Sequence, residues 1–326
     1  MSSQINYVLA GDIGGTNMRA ALADRTGSLV ASGSVATEPE RGFELAEDRL
    51  RALFEEMASG VPRDEVGGVV ISSAGPIDPG TGIYVYPPNL PGWHGKTMQP
   101  GLAESLDMRV TIGHDATLGA LAESRYGAGK GAHHLVYVTL STGVGGGIIA
   151  NGQMVTGANG HAGEMGHLLV RPGGQSCNVG CDGCLEGIAS GGGIARAAQA
   201  GIEAGRDTSI IGMSGGDAAA VNAAMVFEAA AAGDALAVEI VDIVIDAVAS
   251  GFADILNTLD PEYLVVGGGV TGSLQPYWSD LHALIEEKAL PHFKGRVPLH
   301  VSPLGDDVSL VGAAAYAFDL ADSKSG

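Results

Sequence analysis

Two stretches of the chain follow one plan, and that repetition constrains the fold more than any other feature. Tyr7 to Ala10 is an apolar run that enters Gly11-Asp12-Ile13-Gly14-Gly15-Thr16-Asn17, and Met18 to Ala23 resumes as a strand. Leu135 to Leu140 enters Ser141-Thr142-Gly143-Val144-Gly145-Gly146-Gly147, and Ile148 to Ala150 resumes. Short apolar runs separated by a glycine-rich turn read as strand–turn–strand. The first glycine pair therefore sits in a hairpin and does not open a helix, which excludes the dinucleotide fingerprint. Such a hairpin leaves backbone N–H groups free to approach phosphate without side-chain obstruction. Asp12 at its mouth is placed to hold Mg²⁺, which takes few carboxylates together with substrate phosphates. Alone, either stretch reads as readily as a plain turn. Two copies imply a repeated fold unit with a cleft between the copies.

The rest of the chain alternates strands and helices. Ser28 to Thr37 is a third strand, Phe43 to Ser59 has helical periodicity, and Val66 to Ser72 is a buried strand ending near Ala74-Gly75-Pro76. Ile77 to Lys96 is long and irregular, carries Tyr84, Tyr86, Asn89 and Trp93, and is stiffened by Pro87, Pro88 and Pro91. Loops of that length are functional or disordered, and a substrate loop is the reading, with surface decoration the alternative. Arg109 to Gly113 is a short strand, and His114-Asp115 stands where it hands over to a helix, Ala116 to Tyr126. A carboxylate at a strand's C-terminal end is a usual place for catalysis in α/β proteins, although Asp is also a preferred helix N-cap. Helices are expected over Leu185–Ala204, Gly216–Gly233, Ala235–Leu259, Pro276–His292 and Val308–Ala321, with strands Tyr263–Val266 and Val297–Pro303. Gly267-Gly268-Gly269 ends the first of these strands, where a nucleotide could lie against bare backbone.

At 326 residues two domains are expected, and 45% hydrophobic residues support a large core. A formal charge of −20 argues against nucleic acid, whose phosphates attract basic faces. The opening residues lack the basic segment of a signal peptide. The most apolar helical stretch carries Glu239, Asp242, Asp246 and Asp254, so no membrane span is expected. The expectation is a soluble cytoplasmic protein.

All three cysteines fall in one window, Cys177, Cys181 and Cys184, with His167 ten residues upstream and Glu164 and Glu186 flanking the set. Three thiolates and an imidazole suit tetrahedral Zn²⁺ in a structural site. Small buried hydrophobes or a redox-labile loop are the alternatives.

These stretches resemble the ROK family (repressors, open reading frames and sugar kinases), of the actin-like ATPase fold, over nearly the whole chain. Gly11 to Asn17 is similar to its first phosphate loop, Ser141 to Gly147 to its second, and Val266 to Val270 to its adenosine-binding segment. Gly163-Glu164-Met165-Gly166-His167, Gly183-Cys184-Leu185-Glu186 and Ala189-Ser190-Gly191 are similar to its signature. The resemblance implies an α/β, two-domain, ribonuclease H-like fold. The small domain would be 1–114, joined by a C-terminal helix at about 304–326, and the large domain 115–303 would carry the zinc-type loop. It implies an ATP-dependent kinase acting on the 6-hydroxyl of a hexose.

Carried over by position, Asp115 matches the catalytic base. Glu164, His167 and Glu186 match ligands of sugar hydroxyls, and Asn89, in Pro88-Asn89-Leu90-Pro91-Gly92-Trp93, resembles the sugar loop of glucokinases. Gly75 and His114 complete the sugar set. Nucleotide and Mg²⁺ fall to Asp12, Gly14, Gly15, Thr16, Asn17, Thr142, Gly143, Gly145, Gly268 and Gly269, and structural zinc to His167, Cys177, Cys181 and Cys184. A homodimer or tetramer is implied, with no nucleic-acid or membrane partner.

Two positions depart from the family pattern. Val179 occupies the place of the middle cysteine of C-x-C-G-x2-G-C, with Cys181 two residues later, and His114 stands where the family has Asn. Glucose leads because of the Asn89 to Trp93 stretch. Mannose, fructose, allose or an N-acetylhexosamine stay open because of His114, and polyphosphate as donor finds no basic track. A repressor would carry a DNA-binding segment before the first strand. A silent sugar binder would not need Asp12, Asp115 and both hairpins.

Overall fold

The computed structural model describes residues 4–323 apart from Pro79 and Pro88, so the stiffening assigned to Pro88 lies outside the described residues. Ten strands form two sheets of five. The first contains β1 (Tyr7–Ile13), β2 (Asn17–Asp24), β3 (Leu29–Ala36), β4 (Val66–Ser73) and β5 (Val110–His114), in the order β3-β2-β1-β4-β5. Its first three strands pair antiparallel, and β4 and β5 join parallel. The second contains β6 (Leu135–Leu140), β7 (Val144–Ala150), β8 (Gln153–Met154), β9 (Tyr263–Gly267) and β10 (Leu299–Val301), in the order β8-β7-β6-β9-β10. Here too β7 and β8 are antiparallel, and β9 and β10 join parallel. Strand for strand, the second sheet repeats the first, as the paired hairpins in the sequence led us to expect.

Eleven helices are described: α1 (Phe43–Ala58), α2 (Gln99–Leu106), α3 (Asp115–Arg125), α4 (Leu185–Ala189), α5 (Gly191–Glu203), α6 (Ile210–Met213), α7 (Ala223–Ala231), α8 (Ala235–Leu259), α9 (Gly269–Leu274), α10 (Trp278–Lys288) and α11 (Val308–Asp322). Among the described residues, no helix is long and apolar enough to cross a membrane. The chain divides into two compact units. Unit 1 comprises residues 1–133, 147–162 and 303–326, and unit 2 comprises 134–146 and 163–302. The sequence suggested a division at 114/115. In the structure α3 packs with α11, and Gly312 lies against the Leu118 carbonyl with no room for a Cβ, so α3 falls in unit 1.

In unit 1 the alternation of β side chains sets two cores on opposite faces of the sheet. One face gathers Leu9, Ile13 and Ile71 with Leu50 and Phe54 of α1 and with Trp93. The other gathers Val8, Ala10 and Val70 with Leu118 of α3 and Ala314 and Phe318 of α11. A sheet covered on both faces needs apolar residues at successive positions, which is why Val69-Val70-Ile71 is a continuous apolar run. The helix α2, between Met98 and Asp107, was not foreseen.

In unit 2, α8 is the central helix, and α4, α5, α7 and α10 pack on it. Its N-cap, Asp234, accepts bonds from Ala237 N (3.0 Å) and from Ser209 N (2.6 Å), Ser209 Oγ (3.0 Å) and Thr208 Oγ1 (2.9 Å). Burial alone would raise its pKa, but these donors outweigh it and hold the carboxyl at about 2. The stability it contributes is therefore present above the ordinary Asp value of 3.8 and is lost as pH falls from there toward 2. Asp234→Ala is expected to lower stability at neutral pH by about 1–2 kcal/mol, a typical loss for an N-cap. Denaturant melts at falling pH should show the gap between variant and wild type closing below pH ~4.

Several sequence-derived boundaries shift for identifiable reasons. The helix expected over Leu185–Ala204 is two helices, because Ser190 leaves helical geometry and its Oγ accepts Gly193 N (2.9 Å) to start α5. The helix expected over Gly216–Gly233 shortens to α7 behind a 3-10 turn, Ala218–Ala220, capped by Asp217. Pro276 lies in a 3-10 turn ahead of α10. The strand expected over Val297–Pro303 is only Leu299–Val301.

Candidate functional site

In unit 1 the parallel strands β1, β4 and β5 end together. Asp12, Ser72 and Gly113 are in register, followed by Ile13, Ser73 and His114. Asp12, near the end of β1, and Asp115, just past the end of β5, thus come to the same edge of the sheet with β4 between them, the edge at which α/β sheets bind ligands. Asp115 is the first residue of α3, and its Oδ1 accepts the Ala116 N–H at 2.7 Å. His114 Nδ1 lies 3.6 Å from the same oxygen. Gly75 allows the His114 ring to sit close, since a Cβ at Gly75 would stand 3.2 Å from His114 Cδ2.

Asp12 faces Arg19 across the β1–β2 hairpin, and Oδ2 accepts both Arg19 Nε (3.1 Å) and Nη2 (2.9 Å). Arg19 also donates to the Asp306 carbonyl (2.6 Å) and to Asp307 Oδ1 (3.2 Å). Burial raises the Asp12 pKa, Arg19 opposes the rise, and the charge of Asp115 adds to it. Ser72, level with Asp12 on the adjacent strand, is fully buried, and its Oγ has no hydrogen-bond partner. Arg19 escaped the sequence reading. The signal that would have found it is the hairpin register, which sets residue 19 opposite residue 12.

The first glycine turn closes with Gly14 N to Asn17 O (3.0 Å), and Thr37 Oγ1 donates to the Gly14 carbonyl (2.7 Å). Asn89 is beside it, since a Cβ on Gly15 would stand 3.1 Å from both Asn89 Cβ and Asn89 O. Thr16 and Asn17 complete the turn and begin β2. The aromatic residues of the long loop divide into two kinds. Tyr84 and Trp93 are fully buried and meet edge to face at 5.3 Å, with Phe43 on the other side of Trp93 at 5.1 Å. They anchor the loop to the core. Tyr86 is exposed and stacked on His94 at 3.6 Å.

In unit 2 the second glycine turn closes with Ser141 N to Gly143 O (2.9 Å). The N–H groups of Gly191 and Gly192, opening α5, bond the carbonyls of Ser141 (2.7 Å) and Thr142 (3.3 Å). Gly145 lies in β7, two residues past the turn. The 3-10 turn Met165–His167 packs onto β7, with Gly166 against the Val144 carbonyl and Gly146 against the Gly163 carbonyl. Glu164 Oε2 lies 3.9 Å from His167 Nε2. Glu186, in the first turn of α4, accepts the Val144 N–H at Oε2 (3.1 Å). The third glycine cluster opens a helix: Gly268, at φ 90°, caps α9 against the Leu140 carbonyl, and nothing stands within 4 Å of a Cβ on Gly269.

The cysteine loop is a tight turn. Cys177 N bonds Cys181 O (3.0 Å), Cys181 N approaches Cys177 Sγ (3.4 Å), and Gly180 turns at φ 89°. Ligand atoms of His167, Cys177 and Cys181 all lie within 4.8 Å of one another, with Cys177 Sγ 3.9 Å from His167 Nδ1. Tetrahedral zinc with bonds of about 2.0–2.3 Å sets its ligands about 3.3–3.8 Å apart, so the donor set fits once it closes by up to about 1 Å. Cys181 Sγ faces this cluster, whereas Val179 points out, 64% exposed. Cys184 Sγ accepts the Gly187 N–H (3.4 Å) and is not among the ligand atoms that meet within 4.8 Å of one another. Burial pushes the Cys184 thiol up to about 11. Burial pushes Cys177 up as well, but backbone N–H groups of Cys181 and Val179 and the neighbouring thiols bring it below the ordinary value.

The sequence pattern of the ROK family matches residues 8–319. A glucokinase of Thermotoga maritima is 33% identical over 304 residues, covering 93% of this chain and 95% of that protein. An N-acetylmannosamine kinase of Citrobacter koseri is 33% identical over 310 residues, covering 95% and 98%. The crystal structure of a ROK family glucokinase from Streptomyces griseus in complex with glucose and AMPPNP superposes with a TM-score of 0.78 at 30% identity, over 96% of this chain and 99% of that one. The fold is the α/β, two-domain actin-like fold of such kinases.

Proposed function

The chain belongs to the ROK family and is a sugar kinase of it, and from that premise we propose that it transfers the γ-phosphoryl group of ATP to the 6-hydroxyl of a hexose, glucose foremost. The observation that carries the reading is that Asp12, near the end of β1, and Asp115, just past the end of β5, stand at one edge of the sheet beside the first glycine turn. Phosphoryl transfer asks little covalent chemistry of a protein beyond placing the nucleophile and stabilising charge. Asp115 takes the proton of the 6-hydroxyl as that oxygen bonds phosphorus, and ADP leaves with the electrons of the broken P–O bond. The Ala116 N–H on Oδ1 orients the carboxylate for that step.

Asp12 and the orphaned Ser72 hydroxyl offer hard oxygens, the donors Mg²⁺ prefers, and Mg²⁺ when bound neutralises charge on the transferring phosphate. Gly14, Gly15, Thr16 and Asn17 in unit 1, and Thr142, Gly143, Gly145, Gly268 and Gly269 in unit 2, are the backbone proposed for nucleotide. Asn89, Gly75 and His114 in unit 1, and Glu164, His167 and Glu186 in unit 2, are proposed for sugar hydroxyls, which need paired donors and acceptors in fixed geometry. Zinc on His167, Cys177, Cys181 and Cys184 is structural in this reading: it fixes the turn that carries His167 and the approach to Glu186. A cytoplasmic homo-oligomer acting on small molecules completes it.

A second reading is favoured by the N-acetylmannosamine kinase relative, as similar as the glucokinase, and by His114, whose ring differs from an amide in bulk and charge. A coupled assay of ADP release against glucose, mannose, fructose, allose and N-acetylmannosamine separates the two. Turnover highest with glucose supports the first, turnover highest with N-acetylmannosamine the second, and none with any sugar defeats both.

Arg19→Met should also be informative. Arg19 opposes the rise of the Asp12 pKa, so its removal lets the carboxyl protonate at higher pH. The acid limb of kcat/KM for ATP is expected to move to higher pH with the alkaline limb in place. An unmoved acid limb would detach Arg19 from the Asp12 role.

A further inference from the structure

Glu186 accepts a backbone N–H from the second glycine hairpin itself, Val144 N to Oε2 at 3.1 Å, and the neighbouring Gly143 leaves the room that lets it do so. A Cβ on Gly143 would stand 2.8 Å from the same carboxylate oxygen. The other side of Glu186 is equally fixed. Leu185 N bonds the Leu168 carbonyl (2.9 Å), and Gln175 Nε2 bonds the carbonyls of Gly187 (2.7 Å) and Gly193 (2.8 Å). Gly187 has no space for a side chain, a Cβ there falling 2.5 Å from Gln175 O and 2.9 Å from Cys177 N. The short helix α4 therefore cannot swing, and the direction of the carboxylate is set by the hairpin.

Resting on the function proposed above, we infer that Gly143, proposed as backbone for the nucleotide, and Val144 beside it are positioning residues for the sugar. Glu186 is the joint between the two substrates. A carboxylate that accepts Val144 N–H at Oε2 presents its remaining lone pairs in one orientation, and sugar hydroxyls are selective for orientation. Any shift of the hairpin on binding phosphate re-aims Glu186. Any sugar contact that draws on Glu186 restrains the hairpin. Sugar and nucleotide must then change each other's affinity by the same factor, since coupling between sites is reciprocal.

The test is calorimetric titration of glucose, without nucleotide, into wild type, Gly143→Ala, Glu186→Gln and the double variant. Gly143 is not at positive φ, and the clash is with the movable end of a side chain, so the variant is expected to fold; a melting curve checks it. Gly143→Ala should weaken glucose binding roughly tenfold, the scale of one hydrogen bond to a charged group. In the Glu186→Gln background the same change should have little further effect, the non-additivity of residues acting through one contact. If Gly143→Ala leaves glucose affinity intact and raises only the KM for ATP, the inference is overturned. It is also overturned if the two effects simply add. If wild type binds neither glucose nor N-acetylmannosamine, the functional reading fails first, and that result appears before any substitution is made.

Discussion

Asp115→Ala is expected to lower kcat by about 10² to 10⁴, the usual contribution of a positioned general base, with hexose affinity changed only slightly. Asp115 also has a structural role: it is the first residue of α3, behind the N-cap His114, and its Oδ1 accepts the Ala116 N–H in the first turn. The two roles separate in Asp115→Asn. The amide oxygen keeps the bond to Ala116 N and the shape of the side chain, yet it has no carboxylate to receive the hydroxyl proton. Both variants should therefore lose turnover, while only Asp115→Ala should lose stability, by about 1 kcal/mol, the net scale of one hydrogen bond. Rapid-quench measurement of the chemical step beside calorimetric sugar binding checks this. An Asn variant that turns over like wild type would leave Asp115 with a role in the first turn of α3 alone.

Removing metal should have the second large effect. No disulfide ties the set at His167, Cys177 and Cys181 among the described residues, so a metal held there would add its bonds to the backbone hydrogen bonds of the turn. A ligand present at a thousand times its Kd adds about 4 kcal/mol to the folded state. Each kcal/mol moves the midpoint of a 150–250-residue domain by about 2–4 °C. Chelation is thus expected to lower the melting temperature by roughly 10 °C and to raise the KM for hexose more than the KM for ATP. Cys181→Ser should mimic chelation, whereas Val179→Ser, at an exposed neighbour, should not. One zinc per chain by atomic absorption is the matching result. Metal-free protein with unchanged melting and kinetics would sink the structural-zinc reading.

Much of this was legible in the sequence, for a physical reason that also marks its limit. Strand–glycine–strand patterns are local, so Gly11 to Asn17 and Ser141 to Gly147 announced both hairpins. Partners far apart in the chain left little trace. Nothing near Trp93 showed that Phe43 and Tyr84 would pack on it, so the sequence did not separate the aromatic residues that anchor the loop from those left at its surface. Ser190 reads as a tolerable helix residue until its hydroxyl is seen capping α5. The spacing of Cys181 was ambiguous because one-dimensional spacing ignores turn direction, and Gly180 supplies the turn that returns it to Cys177. The Glu186–Val144 bond spans 42 positions and involves a backbone atom, which no pattern of side chains could have disclosed.

The two faces of the first sheet have different histories during synthesis. The face holding Leu9, Phe54, Trp93 and Ile112 is built from residues 7 to 112, and can close once β5 has left the ribosome. The opposite face needs Leu310, Ala314 and Phe318 of α11, made after all of unit 2. At about 5–20 residues per second, Val8 waits roughly 15–60 s for its cover. During that interval the nascent first unit presents one finished side and one bare apolar side, which is the surface a chaperone would find.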